Sequence, residues 1–301
     1  VQTLLRDQGV PIDSLTALVH GTTLVTNAVI ERNGSRTGML TTAGFADVLD
    51  IGKERRYDLY DLRIAFQAPL VPRYMRREVA ERLRDDGRVL TRPDIPAISN
   101  AVQALIDEHQ IESLAICFLH SYLNPEHENQ VRDWLATAHP GLYVSTSAET
   151  CPFIREYERF TTTTVNAFVQ PIVDRYLARL EQGLEGLGFR GRLYIMTSSG
   201  GTVTPATARR LPVRMLESGP SAGILMSASV GRTLDVLNLL AFDMGGTTAK
   251  GAVIRDGQPQ KRYEMEVARV HEFKRGSGLP VQTSVVDMIE IGSGGGSLAE
   301  V

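Results

Sequence analysis

The stretch from Leu237 to Ile254 limits this chain more than any other. Leu237–Phe242 is a continuous apolar strand that delivers Asp243-Met244-Gly245-Gly246-Thr247-Thr248. Ala249–Ile254, which follows, is small and apolar with no helical period, and Asp256-Gly257 is a hairpin-turn dipeptide. The glycines therefore belong to a strand–turn–strand hairpin. Phosphate loops of the GxxxxGK[ST] type and GxGxxG dinucleotide loops instead open a helix directly after their glycines, and neither pattern occurs.

A Gly-Gly-Thr-Thr turn between strands still has the chemistry to cradle phosphate. Glycine permits positive φ and close backbone approach, so successive N–H groups converge on an anion, and the two hydroxyls add donors. Asp243, at the strand end, is the residue type that holds Mg²⁺ or its waters beside phosphates. The plainer alternative is a tight hairpin whose aspartate caps its own turn.

The rest of the chain alternates short strands with helices. Strand Leu15–Val19 ends in His20-Gly21-Thr22-Thr23, where Thr22 or Thr23 is placed to cap a helix running to about Arg32. Strand Arg36–Leu40 and a short helix through Val48 follow. Lys53–Arg92 is rich in Arg and Tyr and reads as an excursion or edge hairpin. Helix 95–109, strand Ser113–Leu119, helix 125–138 and strand Leu142–Ser145 restore the rhythm. A long helix from about Pro152 to Leu187 is expected to break near Pro171. Strand Arg192–Met196 leads into Thr197-Ser198-Ser199-Gly200-Gly201, and Glu217-Ser218-Gly219-Pro220 opens a small-residue helix ending near Gly231-Arg232. Strand Val285–Ile291 precedes Gly294-Gly295-Gly296-Ser297. Repeated strand–helix units imply a mainly parallel sheet.

Composition excludes several classes. The formal net charge is −3, which gives no electrostatic reason to bind nucleic acid or an acidic membrane surface. Two cysteines, Cys117 and Cys151, are too few for a disulfide framework and lack metal-ligand spacing, so a cytoplasmic setting is the default. No apolar run approaches the roughly 18 residues of a membrane-spanning helix.

Several motifs together resemble the hydantoinase A/5-oxoprolinase family. They are His20 to Arg32, Glu156-Tyr157-Glu158-Arg159, Met196 to Gly201, Ser218 to Gly223, Phe242 to Thr247 and Asp287 to Ser297, in family order across nearly the whole chain. The resemblance implies an α/β, actin-like (ribonuclease H-like) two-lobed ATPase fold, with a first lobe over residues 1–205 and a second over 206–301 holding the phosphate loop 243–248. It further implies ATP and Mg²⁺ as cofactors and ATP-dependent opening of a hydantoin- or 5-oxoproline-type ring through phosphorylation of a carbonyl oxygen. A second subunit of the hydantoinase B type is the implied partner. A related branch carboxylates ketones, and a non-catalytic ATP-binding switch is a further alternative. The opening residue Val1 and the ending after the glycine-rich turn read as an internal piece of a longer protein, lacking the family's first phosphate-loop hairpin. Cyclic-amide hydrolases commonly carry Asp where this chain has Lys250, a cation able to touch phosphate directly or to lie on the surface.

The site residues that follow are Asp243 (also the metal ligand), Thr247 and Lys250 for chemistry, with Gly245, Gly246, Thr247 and Thr248 on phosphate. His20, Thr22 and Thr23 stand at a strand's C-terminal end, where ligands bind in open α/β sheets; a helix cap beside a satisfied histidine is the alternative. Ser199, Gly200, Ser218 and Gly219 lie at strand-to-loop or helix-start positions, and Gly295 and Gly296 suit close approach to phosphate or ribose. Arg55, Arg56 and Arg63 form a solvated basic face or a carboxylate grip, and Cys151 an idle thiol or a nucleophile.

Overall fold

The computed structural model describes residues 2–246, 249–271, 274–291 and 294–296. Two compact units emerge, one built from residues 26–171 and 263–283, the other from 1–25, 172–262 and 284–301.

The first of these is a parallel α/β layer. Its sheet runs Arg76–Val79, Thr37–Thr42, Ser113–Cys117, Tyr143–Thr146 in spatial order, every pairing parallel. All residues of Thr37–Thr42 and Ser113–Cys117 are buried, as expected for central strands covered on both faces. Helix Ile95–His109 shows why the rhythm was readable. Asp94 Oδ1 accepts the Ala97 N–H at 3.3 Å, Pro96 sits in the first turn, and Gln110 closes the helix in the left-handed conformation. Ile98, Val102 and Leu105 face the core, which also gathers Met39, Leu40, Leu114, Ile116 and Phe118.

Lys53–Arg92 is more than an excursion. It contributes the edge strand Arg76–Val79 as well as a small hairpin, Arg82–Leu83 with Val89–Thr91. Arg76 is 2% exposed, its guanidinium held by Asp50 at 2.5 Å and the carbonyls of Ala46 and Val71. The short helix expected to run through Val48 instead begins there and ends at Ile51. The strand expected over Val285–Ile291 is two, Val285–Val286 and Ile289–Ile291.

The long helix runs unbroken from Glu156 to Gly186 with Pro171 inside it. Proline removes the N–H that would reach the Ala167 carbonyl. Ser35 Oγ approaches this turn of the helix, 3.4 Å from that oxygen and 3.0 Å from the Phe168 carbonyl.

The second unit carries the hairpin. Strands Leu239–Met244 and Ala249–Arg255 pair antiparallel, and Gln258–Pro259 and Ile289–Ile291 pair with the far edge of the latter. Asp256 and Gly257 turn the chain at φ +49° and +70°, the conformation of a tight two-residue hairpin. Helix Ser218–Thr233 packs Ile224 and Ala228 against Ala241, Ala252 and Ile254 of the sheet. In a separate sheet of this unit, Ala17–His20 runs parallel to Arg192–Met196, which folds back through Thr202–Val203.

Candidate functional site

The N-terminus of helix Ser218–Thr233 is where distant loops of the second unit meet. Ser218 is fully buried, and its hydroxyl donates to the Thr22 carbonyl at 3.0 Å while lying 3.4 Å from the Thr22 N–H. Gly21 and Gly219 are neighbours: a Cβ on Gly21 would lie in ordinary contact with the Gly219 Cα, 3.6 Å away, and one on Gly219 would meet the Thr23 methyl at 3.8 Å. Thr22 also caps the next helix, its hydroxyl accepting the Leu24 N–H at 3.1 Å. Ser221, one position beyond Pro220, donates to the Ser198 carbonyl at 3.0 Å. That bond ties in the loop after Arg192–Met196, where Thr197 Oγ1 lies 3.1 Å from Ser199 Oγ and Gly200 adopts φ +83°. His20, Thr22, Thr23, Ser199, Gly200, Ser218 and Gly219 are thus gathered around one helix start.

His20 faces inward. Its Nε2 lies 2.6 Å from the Tyr176 hydroxyl, the rings stack at 5.7 Å, and burial pushes its pKa below the usual histidine value. The ring is therefore held neutral and committed to Tyr176.

The hairpin reaches the same helix start by another route. Asp243, Lys250 and Glu290 occupy one cross-strand row over three adjacent strands. Lys250 Nζ lies 2.5 Å from Glu217 Oε2 and 3.2 Å from Glu290 Oε1. Burial works against the ammonium, but hydrogen bonds and charge from Glu217, then Glu290, outweigh it and raise its pKa. The lysine is neither a solvated surface group nor an unengaged cation. Glu217, the residue just before the helix, sits at φ +54°, a left-handed conformation rare for a residue with a side chain. Asp243 itself is exposed at the strand end.

Gly245 and Gly246 are bonded to the second glycine turn. The Gly295 N–H donates to the Gly245 carbonyl and the Gly296 N–H to the Gly246 carbonyl, both at 3.0 Å. A Cβ on Gly296 would stand 2.9 Å from the Gly246 oxygen, so only glycine permits this approach. Thr247 and Thr248 lie outside the described residues.

Among the described residues no group of three or more His, Cys, Asp or Glu side chains forms a metal cage. A single exposed carboxylate beside glycine turns fits Mg²⁺, which keeps most of its waters and takes one or two carboxylates plus substrate phosphates. The other expectations resolve simply. Arg55, Arg56 and Arg63 are exposed, with Arg56 bonded to the Asp61 carbonyl. Burial raises the Cys151 pKa to about 11, which leaves a protonated, idle thiol. Sequence reasoning did not weigh Glu217, Glu290, Ser221 or Tyr176. Glu217 stood in plain view before the helix, but an ion pair across 33 residues has no local signature.

Comparison with known proteins places these motifs. Residues 1–138 match the family model of the hydantoinase/oxoprolinase N-terminal region, and residues 159–301 match that of hydantoinase/oxoprolinase. The chain is 37% identical to an uncharacterized protein of Methanocaldococcus jannaschii, covering 97% of the chain and 44% of that protein. It is 31% identical to caprolactamase subunit alpha of Pseudomonas jessenii, covering 94% of the chain and 40% of the subunit. The crystal structure of the ATP-dependent caprolactamase from that organism superposes with a TM-score of 0.85 at 29% identity, over 100% of this chain and 43% of the other. Nucleotide-free acetone carboxylase superposes with a TM-score of 0.81 at 26% identity, over 96% and 41%. The chain therefore spans less than half the length of these proteins.

Proposed function

Because the chain belongs to the hydantoinase/oxoprolinase family, we propose that it is the nucleotide-handling part of an ATP-dependent enzyme that opens a cyclic amide. The observation that carries the reading is the convergence on one helix start of Thr22, Ser198 and, through Glu217, the Asp243 hairpin. Helix N-termini and glycine turns favour anions, and a carboxylate at their edge favours the divalent cation that accompanies a nucleotide.

In this reading the fold is actin-like. ATP and Mg²⁺ are the cofactors. ATP, when bound, would supply the phosphoryl group that makes the amide oxygen a good leaving group. Asp243 orients the metal and its waters. Gly245, Gly246, Thr247 and Thr248 are the residues that would hold phosphate, by backbone N–H and hydroxyl donors. The turns at Ser199–Gly200, Ser218–Gly219 and Gly295–Gly296 border the nucleotide, and Thr22 and Thr23 complete the rim. Phosphoryl transfer needs mainly this positioning and charge stabilisation. His20, stacked on Tyr176, holds the strand end in place rather than touching phosphate.

The relative named as subunit alpha supports a partner subunit of the hydantoinase B type. Two buried unpaired cysteines favour the cytoplasm. No described helix is long and apolar enough to cross a membrane. A ketone carboxylase is the second reading, favoured by the acetone carboxylase superposition and by Lys250 at a position where cyclic-amide hydrolases commonly carry Asp.

The test is phosphate release from Mg-ATP by the full-length protein with its partner subunit, against lactams, 5-oxoproline, hydantoins, and ketones with bicarbonate. Stimulation by a cyclic amide supports the hydrolase. Stimulation only by a ketone with bicarbonate moves the protein to the carboxylases, and ATP binding with no stimulated turnover points to a switch protein.

A further inference from the structure

Lys250 was the one cation that the sequence offered to phosphate beside the Asp243 loop, and the structure has already engaged it. Its ammonium lies 2.5 Å from Glu217 and 3.2 Å from Glu290, and the Lys250 and Glu217 side chains are only 15% and 10% exposed. Three secondary-structure elements meet in this contact. Lys250 comes from the middle strand of the hairpin sheet, Glu290 from the strand beyond it, and Glu217 from the residue that opens helix Ser218–Thr233. Asp243 stands on the other side of Lys250 in the same cross-strand row.

Two features argue against a phosphate contact. Glu217 and Glu290 set two carboxylates on one ammonium, and Asp243 follows in the same cross-strand row, so the cluster is net negative and repels a bare phosphate. A lysine freed for phosphate would also give up its 2.5 Å contact with Glu217, a residue 8% exposed. A different role explains the cost of holding Glu217 at φ +54°. That conformation aims its carboxylate at the sheet while Ser218, the next residue, bonds to Thr22. Local strain of this kind persists where the surroundings over-determine it.

We propose that Glu217, Lys250 and Glu290 form an electrostatic latch that fixes the Asp243 hairpin to the start of helix Ser218–Thr233, and that Lys250 is a positioning residue rather than a phosphate ligand. The latch sets the distance between the carboxylate that orients the metal and the turns that border the nucleotide. This inference rests on the nucleotide reading given above for its consequence, but the latch itself is a property of the nucleotide-free protein.

The test uses Glu217→Gln, Lys250→Met and Lys250→Arg in the full-length protein, with two readouts. The first is hydrogen exchange of residues 217–222 and 239–255 without nucleotide. The second is Mg-ATP binding by calorimetry. A latch predicts that Glu217→Gln and Lys250→Met each speed exchange in both segments while strands Thr37–Thr42 and Ser113–Cys117 keep their protection. Both weaken Mg-ATP binding about tenfold or more, the double variant is no worse than either single one, and Lys250→Arg retains most of the affinity. If Lys250 touches phosphate instead, Glu217→Gln releases it and leaves binding unchanged or tighter, and that result overturns the proposal. Unchanged exchange in Glu217→Gln overturns it as well. Wild-type protein that binds no Mg-ATP refutes the nucleotide reading, while the exchange data still decide the latch.

Discussion

The Ser218 hydroxyl donates to the Thr22 carbonyl at 3.0 Å, joining residues 196 positions apart in the chain. Neither residue belongs to the hydrophobic cores, yet the bond sets where one helix start stands relative to the end of strand Ala17–His20. Ser218→Ala removes the donor and leaves a part-buried carbonyl without it. We expect a loss of about 1 kcal/mol in stability, the typical worth of such a bond. Urea unfolding of the two proteins measures it, and Mg-ATP affinity should fall in parallel. An unchanged unfolding midpoint would remove Ser218 from this role.

Asp243→Asn separates function from fold. The side chain is exposed and the replacement has the same shape, so the unfolding midpoint should stay where it is. Loss of the negative charge weakens the hold on the metal and its waters. Turnover of Mg-ATP should drop about a hundredfold, the usual cost of losing one well-placed group at developing phosphate charge. Full turnover in the variant, with the metal still required, would place the metal-orienting carboxylate elsewhere.

Cys151 makes the opposite prediction, that a sulfur does nothing. Burial holds its pKa at about 11, and hydrogen bonding from Thr162 and the charge of Arg159 only partly offset that rise. At pH 8 roughly one molecule in a thousand carries the thiolate, the form that reacts. Cys117 is also buried, and desolvation pushes its thiol higher too. Native protein treated with iodoacetamide at pH 8 should remain unlabelled at both cysteines by mass spectrometry, whereas protein in denaturant takes two labels. Rapid native labelling of Cys151 would reopen the nucleophile reading.

What was legible in the sequence is what local physics decides. Helix Ile95–His109 announced both ends, because Asp94 caps it and its apolar spacing matches one buried face. The hairpin around Asp243 was visible because its two strands lack helical period and Asp256-Gly257 marks where the second of them ends in a tight turn. Edge strand Arg76–Val79 was hidden by its own charges, since nothing local says that Arg76 will be buried on Asp50. Pro171 marked a break that does not occur, and the Ala167 carbonyl it leaves without a helical partner is approached by Ser35 Oγ, 132 residues earlier in the chain. The site divides the same way. Its glycine turns and Asp243 could be picked out one by one, but the pairing of Lys250 with Glu217 and of His20 with Tyr176 depends on elements that only the fold brings together.

His20 gives the fold a pH dependence whose sign follows from its surroundings. Burial lowers its pKa from 6.5, so below that value the unfolded chain takes up the proton before the folded one does. Stability supplied by the neutral ring, stacked on Tyr176, is thus fully present above about pH 6.5. It is lost progressively as the pH falls toward the lower folded pKa. His20→Gln keeps an amide that can reach the Tyr176 hydroxyl but cannot titrate. Urea unfolding at a series of pH values between 7.5 and 5 should therefore show a steeper loss of stability on acidification for the wild type than for His20→Gln. Parallel curves would mean that the His20 ring is hydrated in the folded protein and that the Tyr176 contact does not keep it neutral.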